Sequence, residues 1–400
     1  MNTIKHIDKR ILAAFGCVVL VCLVLALLAT RHIADTTPKK TLVSAAPHQE
    51  PLKPHMLWSP YGQQAIAVVG SPGLTNNSGA NDTFPMASIA KVMTALVLLG
   101  EKPLKLGEQG PTMTITAADV AVYERELGQN QSVVPVRTGT QLTEYQIIEA
   151  ILVPSATNIA DSAAVWAFGS MDAYLAKANQ LAASFGMADS HFGGDASGFS
   201  PQSYSTPQDL IKLGTAAMAH PVVAEIVGKK SVDLPVAGTV RNFNINLGVE
   251  DINGIKTGNT DEAGGAFLFS APFHDRIIIG AMMGAPDLGT ALHDSVEVLR
   301  GFKSTLQVHT LVAKNQKVGE YTLPWGETVN AVASTPLSIL EWRDDRAPVA
   351  VSLKPIPFDA KKGQTVGVAS ITHEGKTLQT NVVLQKSPSK PSLWWRIFHK

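Results

Sequence analysis

Ser88 and Lys91 frame the run Ser88-Ile89-Ala90-Lys91, which opens an apolar stretch just after Phe84-Pro85. On a helix, three-residue spacing sets the hydroxyl and the amine on one face about one turn apart. A serine hydroxyl is a poor nucleophile until a base takes its proton. A lysine is such a base only where burial and a second cation disfavour its charge. The helix N-terminus adds positive potential and N–H groups that can face a developing oxyanion. Ser-x-x-Lys by itself occurs by chance in many chains, so its company decides what it means.

That company lies downstream. Lys256-Thr257-Gly258 follows Ile255 and precedes the apolar AFLFSA run, with Asp261, Gly264 and Gly265 close by. On an edge strand such a triplet offers an anionic substrate a cation and a hydroxyl, while the glycine lets the substrate backbone come close. Between the two motifs stands Pro154-Ser155-Ala156-Thr157-Asn158, a polar turn placed to face both. The 11 histidines include no helical His-x-x-x-His pair, and His191, His220 and His274 read as ordinary side chains. No metal or cofactor is expected.

These motifs need elements to hold them. Ala65 to Gly70 reads as a strand, a polar loop runs to Asp82, and KVMTALVLLG reads as a helix. Thr143 with Gln146 forms a capping box, Leu142 with Ile147 can staple it, and Thr206-Pro207 with Asp209 opens another helix. AGGAFLFSA and RIIIGAMMGA, joined by a PFHD turn, read as an antiparallel hairpin. The expected fold class is α/β, a sandwich of one antiparallel sheet and helices over 56–305. Beyond Leu306 short alternating strands with Gly and Pro between them predict a small all-β domain over 306–388 with no catalytic cluster.

The chain of 400 residues is 45% apolar and 16% charged, enough for two folded domains and a tether. Lys plus Arg and Asp plus Glu both number 33, so no net field recruits nucleic acid. Lys5, Lys9 and Arg10 precede an uncharged run from Ile11 to Ala29, which as a helix at about 1.5 Å per residue crosses a bilayer core. Residues 1–30 are therefore expected to be a transmembrane signal-anchor or a cleaved signal peptide, with the catalytic region extracytoplasmic. Both cysteines, Cys17 and Cys22, fall in that run, so no disulfide or thiolate metal site is expected beyond it. Residues 31–55 read as a linker. The tail over 389–400, ending PSLWWRIFHK, reads either as an amphipathic membrane-surface anchor or as a terminus packed on the β domain.

Ser-x-x-Lys, a middle serine motif and Lys-Thr-Gly, in that order, resemble the penicillin-binding serine-type D-alanyl-D-alanine carboxypeptidases of the peptidase S11 family. FPMASIAKVMTALVL, EAILVPSATNIADSAA, FGMADSHF with DASGFS, and INGIKTGNTDEAGGAF each resemble family blocks. The β domain and tail also match that family's layout. The resemblance implies removal of the terminal D-alanine from peptidoglycan stem peptides, with β-lactams as covalent inhibitors. It assigns Ser88 as acylated nucleophile, Lys91 as general base and Ser155 as the hydroxyl relaying a proton to the leaving D-alanine. Substrate binding falls to Lys256, Thr257, Gly258 and Arg241, the last a holder of the substrate's terminal carboxylate.

One departure stands out. The middle motif should read Ser-x-Asn, yet Thr157 occupies the third position and Asn158 follows it. Either Thr157 does a reduced version of the amide's task, or the turn is reshaped so that Asn158 does it. The alternatives to a carboxypeptidase are a D,D-endopeptidase, esterase or β-lactamase of the same fold, or an impaired peptidoglycan-binding envelope protein. A class A β-lactamase needs a glutamate base with asparagine four residues on. Neither Glu225 nor Glu250 has it.

Overall fold

In the computed structural model the described residues are 9–29, 33–40, 55–342, 349–373 and 376–398. They divide into two compact units, one over 53–306 and one combining the N-terminal segment with 307–400.

The first unit is built on a five-stranded antiparallel sheet. Its order is Gly254–Thr260, Gly264–Phe273, Arg276–Ala285, Gln63–Val68 and Thr75–Asn77. The central hairpin closes more tightly than the four-residue turn expected: Phe273 pairs with Arg276, leaving His274 and Asp275 as the loop. His274 takes a positive φ of 54° there, as two-residue hairpin loops require. Both sheet faces are covered. A Cβ on Gly214 of the Pro207–Ala219 helix would lie 2.7 Å from Ile279, so that helix packs close against the strand. Ser295 of the Leu288–Thr305 helix meets Met282 instead. Residues 279 and 282 are an odd number apart on one strand and point to opposite faces.

The Ala90–Glu101 helix is buried from Ala90 through Leu99, lysine included. A helix apolar all round belongs in a core. Around it stand Glu144–Leu152, Thr157–Phe168 and Met171–Ser184. The capping box of Thr143 and Gln146 is formed, and Thr206 caps the Pro207–Ala219 helix through Asp209.

The second unit contains a six-stranded antiparallel sheet over Val318, Tyr321, Val329, Ile371 and Val382, and a ribbon of Leu306–Val312 with Leu337–Trp342. The segment expected to be a spacer is partly structured: Pro38–Lys40 pairs with Lys317–Thr322 at the sheet edge, and Thr36 bridges to Ile356. An edge strand offers unpaired backbone groups, and Pro38 is tolerated there because it pairs on one side only. Residues 41–54 of that expected linker lie outside the described residues.

Lys9–Ala29 is helical. Phe15, Leu20 and Leu23 are exposed on it. Its apolar part with described side chains is Ala13–Val24, and no single helix among the described residues is long and apolar enough to cross a membrane. Residues 1–8 and 30–32 of the expected leader and linker lie outside the described residues, as do His399 and Lys400 of the tail. Leu393–Phe398 is a short helix on which Trp394 stacks with Phe398 and Trp395 meets Trp325 edge-on.

Candidate active site

Ser88 lies in a short 3-10 turn, Ala87–Ile89, that runs into the Ala90–Glu101 helix. Ala87 carries a positive φ of 47°, a backbone state costly for a residue with a Cβ and one that concentrates at functional sites. The turn is wedged against the Gly254–Thr260 strand. A Cβ on Gly258 would sit 3.0 Å from both the Met86 carbonyl and the Ala87 side chain. Gly258 thus lets the third-motif strand lie against the nucleophile's turn. That is a different use from the expected approach of substrate backbone.

The two motifs meet. Lys91 Nζ donates to Ser88 Oγ at 2.9 Å, to the Ser197 carbonyl at 3.0 Å and to Thr157 Oγ1 at 3.4 Å. Burial pushes the Lys91 ammonium from 10.5 down to about 8, against the opposing charges of Asp195, Asp161 and Glu126. One unit above neutrality leaves roughly a tenth of the amine free at pH 7. Lys256 is buried too, donates to the Thr257 carbonyl at 3.1 Å, and is pushed well down by burial and then by the Lys91 charge. Burial is thus what disfavours the charge on Lys91, and the Lys91 charge in turn disfavours that of Lys256.

Ser155 occupies the left-handed region at φ 61°, and its buried Oγ has no hydrogen-bond partner. A buried hydroxyl without a partner is costly. This one faces a cavity of about 430 Å³ lined also by Ser88, Lys91, Thr157, Thr257 and Gly258. The other walls are Gln129 to Ser132, Phe199, Phe243, Asn259 to Glu262 and Leu288.

Of the two candidates of the middle motif, Thr157 lines the cavity. Asn158 does not line the cavity: its Nδ2 donates to the Val134 carbonyl at 3.0 Å and its Oδ1 accepts from the Val134 N–H at 3.1 Å. Both ends of the amide are spent on the Val134 backbone, which Asn158 clamps. Arg241 is also not brought to the site. It ends the Gly238–Arg241 strand of a two-stranded ribbon, paired with Ser231, and is exposed outside the cavity lining. The loop from Asn242 onward intervenes, and spacing through a loop does not set direction.

Sequence reasoning missed the Gln129 to Ser132 wall and three carboxylates behind Lys91. Asp195 accepts from the N–H groups of Ser197 (2.9 Å), Gly198 (2.6 Å) and Ser200 (2.7 Å), folding the loop whose carbonyl holds Lys91. The signal for Glu126 is its place three residues after Tyr123, on the side of the Ala117–Gly128 helix where Val120 and Tyr123 are half-buried, an acidic residue where an apolar one fits.

A family model described as D-alanyl-D-alanine carboxypeptidase, the peptidase S11 family, matches residues 72–287. The chain belongs to this family of serine-type D-alanyl-D-alanine carboxypeptidases. It is 26% identical over 320 residues to the Escherichia coli K12 D-alanyl-D-alanine carboxypeptidase DacA, covering 76% of this chain and 77% of that one. With the Mycobacterium tuberculosis carboxypeptidase DacB2 it shares 31% identity over 226 residues, 54% of this chain and 72% of the relative. In fold it resembles penicillin binding protein 5 from Haemophilus influenzae, with a TM-score of 0.60 at 18% identity over 84% of this chain and 99% of that one. The Streptomyces K15 DD-transpeptidase superimposes with a TM-score of 0.56 at 21% identity, covering 64% of this chain and all of that one. The penicillin-binding α/β fold expected of 56–305 is therefore the fold of the carboxypeptidase unit.

Proposed function

We propose that this carboxypeptidase removes the terminal D-alanine of peptidoglycan stem peptides through an acyl-enzyme on Ser88. The observation that carries the assignment is the 2.9 Å contact between Ser88 Oγ and a buried amine pushed down to about 8. Ser88 Oγ bonds to the carbonyl carbon of the penultimate D-alanine while Lys91 takes the hydroxyl proton. The C–N bond then breaks, and the leaving D-alanine takes a proton through Ser155, whose unpartnered hydroxyl faces the cavity. Water completes the cycle: it adds to the ester carbon while Lys91 takes one of its protons, the C–Oγ bond breaks, and that proton passes to Ser88 Oγ. The substrate's terminal carboxylate meets the Thr257 hydroxyl, with the Lys256 ammonium behind it supplying positive potential. A β-lactam carbonyl follows the same first step and stalls as the ester.

The proposal extends to location: a membrane-held protein with its catalytic unit outside the cytoplasm. The basic flank, the exposed apolar face of the Lys9–Ala29 helix, and exposed Trp394 and Phe398 in the tail support it. Labelling fractionated cells with a fluorescent penicillin tests both parts. A band in the membrane fraction that disappears in Ser88→Ala is expected. A band that persists in the variant overturns the nucleophile, and one confined to the soluble fraction overturns the location.

A further inference from the structure

Glu126 and Asp161 lie behind Lys91 and touch no substrate atom in the chemistry proposed for Ser88. Glu126 is 1% exposed; one oxygen accepts from Arg125 at 3.0 Å, and the other is buried and accepts from no N–H or hydroxyl group among the described residues. Asp161 lies four residues after Thr157 on the same helix, so the two side chains share the face toward Lys91. Its Oδ1 accepts from the Ala196 N–H at 2.9 Å, and its carboxyl comes within hydrogen-bonding reach of Glu126.

Two carboxyl groups this close, Glu126 buried and Asp161 half-buried, cannot both ionise cheaply, and one of them keeps a proton. We propose that Glu126 and Asp161 share a single proton and act as one positioning unit, a single negative charge behind Lys91 that sets how tightly the base holds its proton. The inference rests on Lys91 being the base. Burial and the charges of Asp195 and Glu126 push Asp161 up, and burial pushes Glu126 up against the pull of Arg125, as proton sharing requires.

The surroundings of Lys91 complete the charge balance. Ser88 and Thr157 present hydroxyls, Ser197 a carbonyl, Asp195 a second carboxylate and Lys256 a cation. Tyr174, from the Met171–Ser184 helix, is occupied with Thr94 at 2.7 Å. Burial keeps the Tyr174 phenol neutral. Desolvation alone would leave the amine too weak a base to accept the Ser88 proton firmly. A fixed negative charge stabilises the ammonium formed at each acylation without adding a mobile group to the cavity.

Sharing makes the charge robust, and that sets the test. Remove either carboxyl and its neighbour, freed of like-charge repulsion, ionises in its place. Glu126→Gln and Asp161→Asn should each keep the acid limb of the acylation rate, measured with a fluorescent penicillin on the full-length protein, where it is in the wild type. The double variant loses the charge, and its acid limb should move to lower pH by on the order of one unit, with a reduced maximum. Singles that each shift the limb as far as the double, or a double that leaves it in place, overturn the proposal. Failure of the Lys91 reading is separate: it would show as a wild-type profile without an acid limb. Should the double variant not fold, infrared difference spectroscopy decides. Wild type minus Asp161→Asn at neutral pH should contain the carbonyl stretch of one buried protonated carboxyl, and its absence overturns the proton sharing.

Discussion

Asn158→Ala separates a structural asparagine from a substrate-binding one. In the wild type the amide makes both hydrogen bonds to Val134, a residue 3% exposed, at 3.0 and 3.1 Å. Truncation leaves the Val134 N–H and carbonyl buried and unpaired, at about 1–3 kcal/mol each, or about 2–6 kcal/mol together. For a domain of this size each kcal/mol lowers the melting temperature by roughly 2–4 °C, so the expected drop is on the order of 10 °C. Thermal melting followed by fluorescence measures it, and penicillin acylation well below the transition should persist. Thr157→Asn tests the other half. An amide at the cavity wall gains one hydrogen bond to substrate, about 0.5–1.5 kcal/mol, which is roughly two- to twelvefold in turnover of a D-alanyl-D-alanine peptide. An Asn158→Ala protein that melts like the wild type yet fails to acylate would refute the reasoning, because the amide would then face the substrate.

Lys91→Arg keeps the charge but supplies no base at neutral pH, so acylation should fall by about 10²- to 10⁴-fold, measured by stopped-flow with a fluorescent penicillin. Glu144 is fully buried with no partner for either carboxylate oxygen, and burial pushes it from 4.5 up to about 7. Its folded form holds a proton that the unfolded chain loses, so stability falls as pH rises from 4.5 to 7 and is flat above. Glu144→Gln should therefore stabilise the protein by up to about 3 kcal/mol at pH 8 and by almost nothing at pH 4, as read from urea unfolding at the two pH values.

Local chemistry accounts for what the sequence revealed of the fold. Thr143 with Gln146 and Thr206 with Pro207 announce helix starts because they satisfy backbone groups at hand, and those caps form as expected. The apolar runs around Phe267 and Ile279 announce a hairpin because strands buried on both faces are apolar throughout. Pairing across long distances leaves no such mark. Nothing in Pro38-Lys39-Lys40 specifies a strand until the edge of Lys317–Thr322 supplies its partner, which is how a segment read as a spacer joins a sheet.

At the site the same division holds. Ser88, Lys91, Ser155 and Thr257 converge because their motifs sit on elements whose packing brings them to one cavity, and order along the chain reported that. Direction did not follow from order. Asn158 and Thr157 are adjacent, but about 100° of helical turn separates them, enough to send one to Val134 and the other to the cavity. Arg241 has suitable chemistry and a suitable distance along the chain, yet it ends a two-stranded ribbon, exposed and outside the cavity lining. Glu126 and Asp161 lie 35 residues apart and belong to no motif; only the packing of their helices against Lys91 makes them a unit. Burying Glu126 without full pairing is a cost to stability that an apolar side chain would not incur. Its offset is sought in how Lys91 holds its proton, where the pH profile of the double variant measures it.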